Sequence, residues 1–199
     1  MALTEFKKSE TNPDVYISEY KSIKHIHKDY EFIYTDGSCR NLDAAAAAVK
    51  GSHAYVERLP DLASIYSAEL HAIYLALDHV ETSEGTKFVI FVDSKSVLQA
   101  LEKKDWQHPF VQKILERHSW LCDEGQKKIV FCWIPSHIGI SGNEAADKAA
   151  KDGLDKVITQ MSIPYTDYKM YISTCHLNQI QTFDHCNFLY DCTLDCVLD

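Results

Sequence analysis

The stretch Tyr30–Ser38, YEFIYTDGS, decides the fold of this chain. Its first six residues are mostly aromatic or β-branched, and an acid, a glycine and a serine follow them. This pattern predicts a buried strand that stops at Asp36 and turns at Gly37. A carboxylate at the end of a buried strand is costly to keep ionised unless a positive charge meets it. We therefore expect Asp36 to face a divalent metal, with later carboxylates converging on the same point.

A second strand ends in the same way. Lys87–Val92, KFVIFV, is apolar on both faces, which is typical of an interior strand, and Asp93 follows it. The order strand, helix, strand, helix predicts parallel strands joined by right-handed crossovers. In such sheets the functional crevice lies at the carboxyl ends of the strands. Asp36 and Asp93 should therefore lie close together.

The first strand is followed by a predicted hairpin. The alanine run Ala44–Val49 favours a helix by propensity alone, but it lies between turn signals. The next run, His53–Arg58, alternates apolar and polar residues. We therefore interpret the two runs as paired strands with Gly51 and Ser52 in the turn.

The remaining pattern predicts four helices and one strand. Their bounds are Ile65–Val80, Ser96–Leu101, Phe110–Glu124 opened by Pro109, a strand over Lys128–Ile134, and a last helix from Ser141. Glu69 lies against the apolar stripe of the first of these helices, although a salt bridge on the helix flank is the simpler explanation for it alone. Ser141 and Glu144 fit a capping box, which places Asp147 just after the first turn.

Composition narrows the class of protein. A chain of 199 residues with 46% hydrophobic residues suits one domain with extra segments. Seven cysteines and no recognisable leader favour reduced thiols and an intracellular protein, and no apolar stretch suggests a membrane span. The net charge of −9 argues against a generic nucleic-acid binder held by a basic surface. It does not exclude localised, metal-dependent contact with a polyanion.

The chain divides into three segments by composition. Residues 1–29 are polar and are expected to form an arm or linker, in which His25 and His27 alternate as at a strand edge. Residues 30–153 form the predicted domain. Residues 154–199 are expected to be an irregular tail that holds four of the seven cysteines. A zinc cluster in this tail is the less favoured alternative, since the spacings fit no standard finger.

Four acids are expected to converge on one point: Asp36, Glu69, Asp93 and Asp147. Oxygen-only ligands suit Mg²⁺ or Mn²⁺, and two such ions about 4 Å apart can activate water and stabilise the leaving oxygen of a phosphodiester. The motifs around these acids, YTDGSC, SAELHAIYLAL, FVDSKSVL and WIPSHIGISGNEAADKAA, closely resemble type 1 ribonuclease H. They are most similar to the version attached to reverse transcriptases of non-LTR retrotransposons, over about residues 30–153.

The resemblance implies an α/β ribonuclease H-like fold, with a five-stranded mixed sheet whose second strand is antiparallel, flanked by helices. It implies a metal-dependent endonuclease that cuts the RNA strand of RNA–DNA hybrids with two Mg²⁺ or Mn²⁺ ions. The family's acidic ligands map onto Asp36, Glu69, Asp93 and Asp147, and its mobile loop histidine onto His137. Candidate contacts to the hybrid are Cys39, Ser94 and Asn143, although Ser94 equally suits a helix N-cap and Asn143 a first-turn residue.

Some features depart from the family's pattern. Lys95 stands where many members carry Gln, the alanine run replaces a glycine-rich stretch, and no strongly basic protrusion is evident. These departures bear on affinity for the hybrid more than on the chemistry. The alternative is a catalytically inactive retroelement remnant that keeps the fold and binds nucleic acid or a partner, which the presence of all four acids and His137 disfavours. Another nuclease or an integrase of the same fold is a third possibility, which the last motif disfavours. We expect a monomeric domain or a fragment of a larger polyprotein.

Overall fold

The computed structural model describes the backbone of residues 12–181 and the side chains of residues 12–173. Its strands are β1 (Glu31–Arg40), β2 (Asp43–Lys50), β3 (His53–Leu59), β4 (Lys87–Val92) and β5 (Lys128–Trp133). Its helices are α1 (Pro13–Ile26), α2 (Ile65–Thr82), α3 (Lys95–Lys103), α4 (Pro109–Asp123), α5 (Ser141–Gly153) and α6 (Tyr165–Gln181). None of the helices in this range is both long and apolar enough to cross a membrane.

The strands form one five-stranded sheet in the order β3-β2-β1-β4-β5. β2 pairs in an antiparallel sense with β1 and β3, whereas β4 runs parallel to both β1 and β5. The predicted mixed sheet with an antiparallel second strand is therefore confirmed. The predicted hairpin is confirmed as well, with the alanine run as β2 and Gly51 in a left-handed conformation at its turn.

The prediction that β1 stops at Asp36 and turns at Gly37 is wrong. β1 continues to Arg40 because β2 goes on pairing with it, with Gly37 opposite Ala46. Gly37 instead allows a close approach: a Cβ there would lie 2.7 Å from the backbone nitrogen of Glu69 and 2.9 Å from the carbonyl carbon of Ala68. The glycine therefore lets α2 lie directly against β1.

The sheet has a packed core on each face, because neighbouring residues of a strand point to opposite sides. On one face, Ile90 of β4 belongs to the larger core with residues of α2, α3 and α4. On the other face, Phe91 packs with residues of α1 and α5. β4 is thus buried on both sides, as its apolar sequence predicts.

The expected arm is a helix over much of its length. α1 occupies Pro13–Ile26, with Asn12 as its N-cap and Pro13 at the first position. The alternation of His25 and His27 is therefore not a strand edge, and that interpretation is wrong: His25 lies in the last turn of the helix and His27 is its C-cap. A helix forms here because one side of it, including the buried Tyr16, packs against the sheet.

The segment after residue 153 also contributes to the folded unit. Thr159 donates its backbone N–H to the carbonyl of Arg58 at 2.8 Å. α6 begins at Tyr165, so the expected irregular tail is helical there. Asp167, in the first turn of α6, is buried. The cysteine and histidine side chains of the possible zinc cluster lie outside the described residues, and that alternative stays untested.

Candidate active site

Asp36 lies where β1 loses one of its two neighbours. The pairing of β1 with β4 ends at Thr35 and Val92, whereas β2 stays paired on the other side. Thr35 is buried and donates its hydroxyl to the carbonyl of Phe91 at 3.2 Å, which fixes the strand just before the acid. Asp36 is itself buried, with 6% of its surface exposed. Its carboxylate therefore faces a gap in the sheet and has little contact with water.

Glu69 reaches the same gap from α2. Ser64 caps this helix by accepting the backbone N–H of Ser67 at 3.1 Å, and residue 69 follows one turn later. Glu69 is 9% exposed, and its Oε2 is a buried oxygen without a hydrogen-bond partner among the described residues. The flank salt bridge that the pattern of the helix allowed is therefore not formed. The backbone N–H of Gly37 lies near both carboxylates and partly opposes the rise in the pKa values of Glu69 and Asp36.

Asp93 follows the last residue of β4 and is held at two points. The indole Nε1 of Trp133 donates to its backbone carbonyl at 2.9 Å. The side-chain Nδ2 of Asn143 donates to its carboxylate Oδ2 at 3.1 Å. These bonds come from β5 and α5, so two separate elements orient the acid.

Carboxylate oxygens of Asp36, Glu69 and Asp93 lie within 4.8 Å of one another. Burial, followed by the charges of Asp93 and Asp147, raises the pKa of Asp36 to about 8. Burial, followed by the charges of Asp36 and Asp93, raises the pKa of Glu69 to about 9. Carboxylates this close ionise together only when a cation is present. The unpartnered oxygen of Glu69 and the oxygen-only ligand set fit a hard divalent cation.

Asp147 faces this cluster from α5 but belongs to a second group. One carboxylate oxygen of Asp147, one of Glu144 and a ring nitrogen of His137 lie within 4.8 Å of one another. The charge of Asp147 contributes to the raised pKa of Asp36, which shows that the two groups are neighbours. Lys151 forms an ion pair with Asp147 at 2.7 Å. The structure therefore brings three predicted acids together and sets the fourth beside them with the predicted histidine.

The start of α5 differs from its prediction. The N-cap is Ile140, not Ser141, and neither a side-chain cap nor the predicted capping box is formed. Ile140 is 3% exposed and packs in the core, so apolar burial fixes the start of the helix. Glu144 is thereby free of the capping role and joins Asp147 and His137. Its position three residues before Asp147, on the same helix face, is the feature of the sequence that could have identified it as a site residue.

His137 lies on the exposed loop between β5 and α5. It has a positive φ of 57°, and Gly139 in the same loop has a φ of 84°. Left-handed backbone at two positions turns the chain sharply before the helix. The histidine therefore reaches the mouth of the site from a loop and not from a rigid element.

The predicted substrate contacts have different surroundings. Cys39 is exposed, but loss of solvent around its thiol and the charges of Glu69 and Asp167 raise the pKa of that thiol to about 11. Ser94 occupies the N-cap position of α3, and its hydroxyl lies 3.2 Å from that of Ser96. Asn143 is only 2% exposed and turns toward Asp93. Of the three, Asn143 is placed to orient an acid more than to meet a ligand.

Comparison with known proteins agrees with this geometry. A family model described as RNase H matches residues 28–155, which is more than half of the chain. Human ribonuclease H1 is 26% identical over 143 residues, which cover 63% of this chain and 50% of that protein. The chain thus matches about half the length of this curated relative. The extent of the family match shows that the chain belongs to the RNase H family.

Proposed function

We propose that this protein is a metal-dependent endonuclease that hydrolyses the RNA strand of RNA–DNA hybrids. The observation that carries the proposal is the convergence of Asp36, Glu69 and Asp93, whose oxygens lie within 4.8 Å of one another in a buried gap of the sheet. The similarity to human ribonuclease H1 supports the reaction class. Such a cluster of acids is destabilising without a cation, so its presence favours metal-dependent chemistry.

Asp36, Glu69 and Asp93 would hold one Mg²⁺ or Mn²⁺ ion, and Asp147 beside Asp36 would help to hold a second. Ions of this kind, when bound, lower the pKa of a coordinated water and stabilise the charge on a leaving oxygen. Raised pKa values of Asp36 and Glu69 support the ligand assignment, because a cation would favour their ionised forms. All of these residues come from one chain, which supports a site that is complete in a monomer.

The chain's own residues would orient the ligands and move protons. The Gly37 amide would favour the ionised carboxylates of Asp36 and Glu69, and Asn143 would orient that of Asp93. His137, exposed on its loop, would carry a proton between the reacting oxygen and bulk water. Its loop position suits that task because the ring can reach both places.

The hybrid would be recognised by local contacts and not by a broad basic surface, given the net charge of −9. Cys39 and Ser94 are near the acids and are partly open to solvent. They would contact sugar hydroxyls in the minor groove, which distinguish RNA from DNA. Lys95, the first residue of α3, would add one contact to a phosphate.

The decisive experiment is cleavage of a labelled RNA–DNA hybrid with Mg²⁺ and with EDTA, alongside duplex DNA and single-stranded RNA. We expect nicks in the RNA of the hybrid with Mg²⁺ or Mn²⁺ alone. Asp93→Asn should lower kcat by more than the roughly 100-fold that loss of an outer-shell partner can cost. Asp152→Asn, an exposed acid on α5, is the matched control and should keep wild-type activity.

Two outcomes would overturn the proposal. Cleavage that persists in EDTA would remove the metal from the mechanism. Folded protein that binds the hybrid and never cuts it would favour the inactive remnant.

We also infer from the motifs that the domain descends from a non-LTR retrotransposon polyprotein. Reverse-transcriptase sequence flanking its gene would support that origin, and flanks typical of a cellular ribonuclease would contradict it.

A further inference from the structure

Helix α1 lies outside the segment that matches the family, yet it packs on the strands that carry the site. The match begins at residue 28, whereas α1 covers Pro13–Ile26. Tyr16 of this helix is 1% exposed. Its ring meets Trp133 edge-on, with centroids 6.0 Å apart and planes at 82°. Edge-to-face packing of two buried rings is a favourable and directional contact.

Trp133 connects this helix to Asp93. The backbone ladder around β4 ends with Val92, whose carbonyl accepts the N–H of Ile134 at 3.0 Å. The next carbonyl, that of Asp93, has no strand beside it and accepts the indole N–H of Trp133 at 2.9 Å. The indole N–H thus takes the place of a strand N–H and gives the carbonyl of Asp93 a hydrogen-bond donor. Lys95 also contacts this ring, with Nζ 4.2 Å from its centroid.

A second path runs from α1 through Tyr34 of β1 to the start of α5. The hydroxyl groups of Tyr20 and Tyr34 are 2.5 Å apart. The ring of Tyr34 lies so close to Gly142 that a Cβ there would come within 2.3 Å of it. The next residue, Asn143, donates to the carboxylate of Asp93. α1 therefore contacts β5 directly through Trp133 and reaches α5 through Tyr34 of β1.

We propose that α1 is part of the scaffold of the metal site and that Trp133 is a positioning residue for Asp93. This inference rests on the proposed function, in that Asp93 is taken to be a metal ligand. Outer groups that hydrogen-bond to a metal ligand set its orientation and thereby the affinity for the ion. Trp133 acts on the backbone of the ligand and Asn143 on its carboxylate, so each substitution removes one of the contacts that orient Asp93.

The test is Mn²⁺ binding measured by titration calorimetry on the full chain, with the melting temperature of each variant. Trp133→Phe keeps an aromatic ring but removes the indole donor and part of the ring volume, and the melting temperature reports the loss of packing. We expect it to weaken Mn²⁺ affinity by about 10-fold to 100-fold. Trp120→Phe, at a residue that is 46% exposed on α4, is the matched control and should bind Mn²⁺ as the wild type does.

The role of α1 is tested with Tyr16→Ala against Val15→Ala, its 39% exposed neighbour. Affinity is measured well below the melting temperature, so that every variant is folded. Tyr16→Ala should weaken Mn²⁺ binding, while Val15→Ala should not. If Tyr16→Ala lowers only the melting temperature and Trp133→Phe binds Mn²⁺ normally, the inference is overturned.

The two proposals fail in different ways. Wild-type protein that binds Mn²⁺ through Asp93 but never cuts hybrid contradicts the proposed function alone. Wild-type cleavage that Trp133→Phe matches in kcat and in Mg²⁺ dependence contradicts the positioning role alone. Wild-type protein that binds no Mn²⁺ contradicts both.

Discussion

Asp36 and Glu69 place two carboxylates where water barely reaches, and this arrangement destabilises the metal-free protein at neutral and alkaline pH. The pKa of Asp36 lies at about 8, well above its ordinary value of 3.8, chiefly because the group is buried. A group whose pKa is raised by folding stabilises the protein below its ordinary pKa, and that contribution is lost as the pH rises through the raised value. The buried carboxylates therefore lower the stability of the metal-free protein, and a bound cation would remove this destabilisation.

Asp36→Asn should therefore stabilise the metal-free protein at pH 8 to 9. We expect its melting temperature to exceed that of the wild type by at least about 3 °C, the shift that 1 kcal/mol produces in a chain of this length. The difference should shrink toward pH 4, where the wild-type carboxyl is protonated. Thermal melts in EDTA across this range measure it, and Mg²⁺ should raise the melting temperature of the wild type more than that of the variant. A difference independent of pH would contradict this account.

At Gly37, the absence of a side chain matters more for packing than the conformational freedom of the backbone. A Cβ at this position would collide with backbone atoms of Ala68 and Glu69, which cannot move away without shifting α2. We expect Gly37→Ala to lower the free energy of unfolding by about 1 to 3 kcal/mol, as overpacking does. Urea denaturation measures this. Gly51→Asn is the control, because position 51 has open space and Asn tolerates its left-handed backbone better than other side chains do. Equal stability of the wild type and Gly37→Ala would contradict this prediction and show that α2 can shift to make room for the added methyl group.

At the scale of elements, the sequence predicts the strands better than the ends of the chain. β4 could be identified because apolar residues on both faces suit an interior strand, and β2 because turn signals outweighed the helix propensity of alanine. α1 was missed, although Tyr16, Tyr20 and Ile23 follow a helical spacing and lie on the packed side. Their polar neighbours suggest a linker, and only the aromatic face of the sheet explains why they form a helix.

The first turn of α6 stabilises the first turn of α2. Asp167 accepts the backbone N–H of Ser64 at 3.1 Å and its hydroxyl at 2.8 Å, in a buried position. Its negative charge also suits a helix N-terminus. Asp167→Ala would leave the amide of Ser64 without its partner, at a cost of about 1 to 3 kcal/mol in the free energy of unfolding. Urea denaturation measures the loss. Asp152→Ala, at an exposed acid of α5, is the matched control and should change little, and equal effects would contradict the capping role.

Over the whole molecule, the folded unit is wider than the predicted domain of residues 30–153. α1 covers one face of the sheet, and residues 154–167 pack at the edge of β3 and on α2. The acids of the site could be named from the sequence only because four motifs occur in one order. The number of residues between the motifs does not indicate where their side chains lie in the folded chain. Glu144 was missed because a capping box explained it locally.

A chain that begins at residue 28 should therefore be less stable than one that begins at residue 12. Removal of α1 exposes the aromatic side chains of the sheet, including Phe91 and Trp133. We expect a loss of at least about 3 kcal/mol, comparable to truncation of one large buried aromatic side chain. Urea denaturation of the two chains measures it. Equal midpoints would show that α1 adds nothing to the domain.

The alanine run of β2 also separates the two helices that carry acids. Ala44, Ala46 and Ala48 face α2, whereas Ala45 lies against the end of α5, where a Cβ on Gly153 would come within 3.0 Å of it. Side chains of one carbon on both faces set the thickness of this layer, and so the span between Glu69 and Asp147. A larger residue on either face would increase the separation between Glu69 and Asp147, and with it the separation of the carboxylates proposed to hold metal. We therefore expect variation during evolution to be confined here to residues no bulkier than serine.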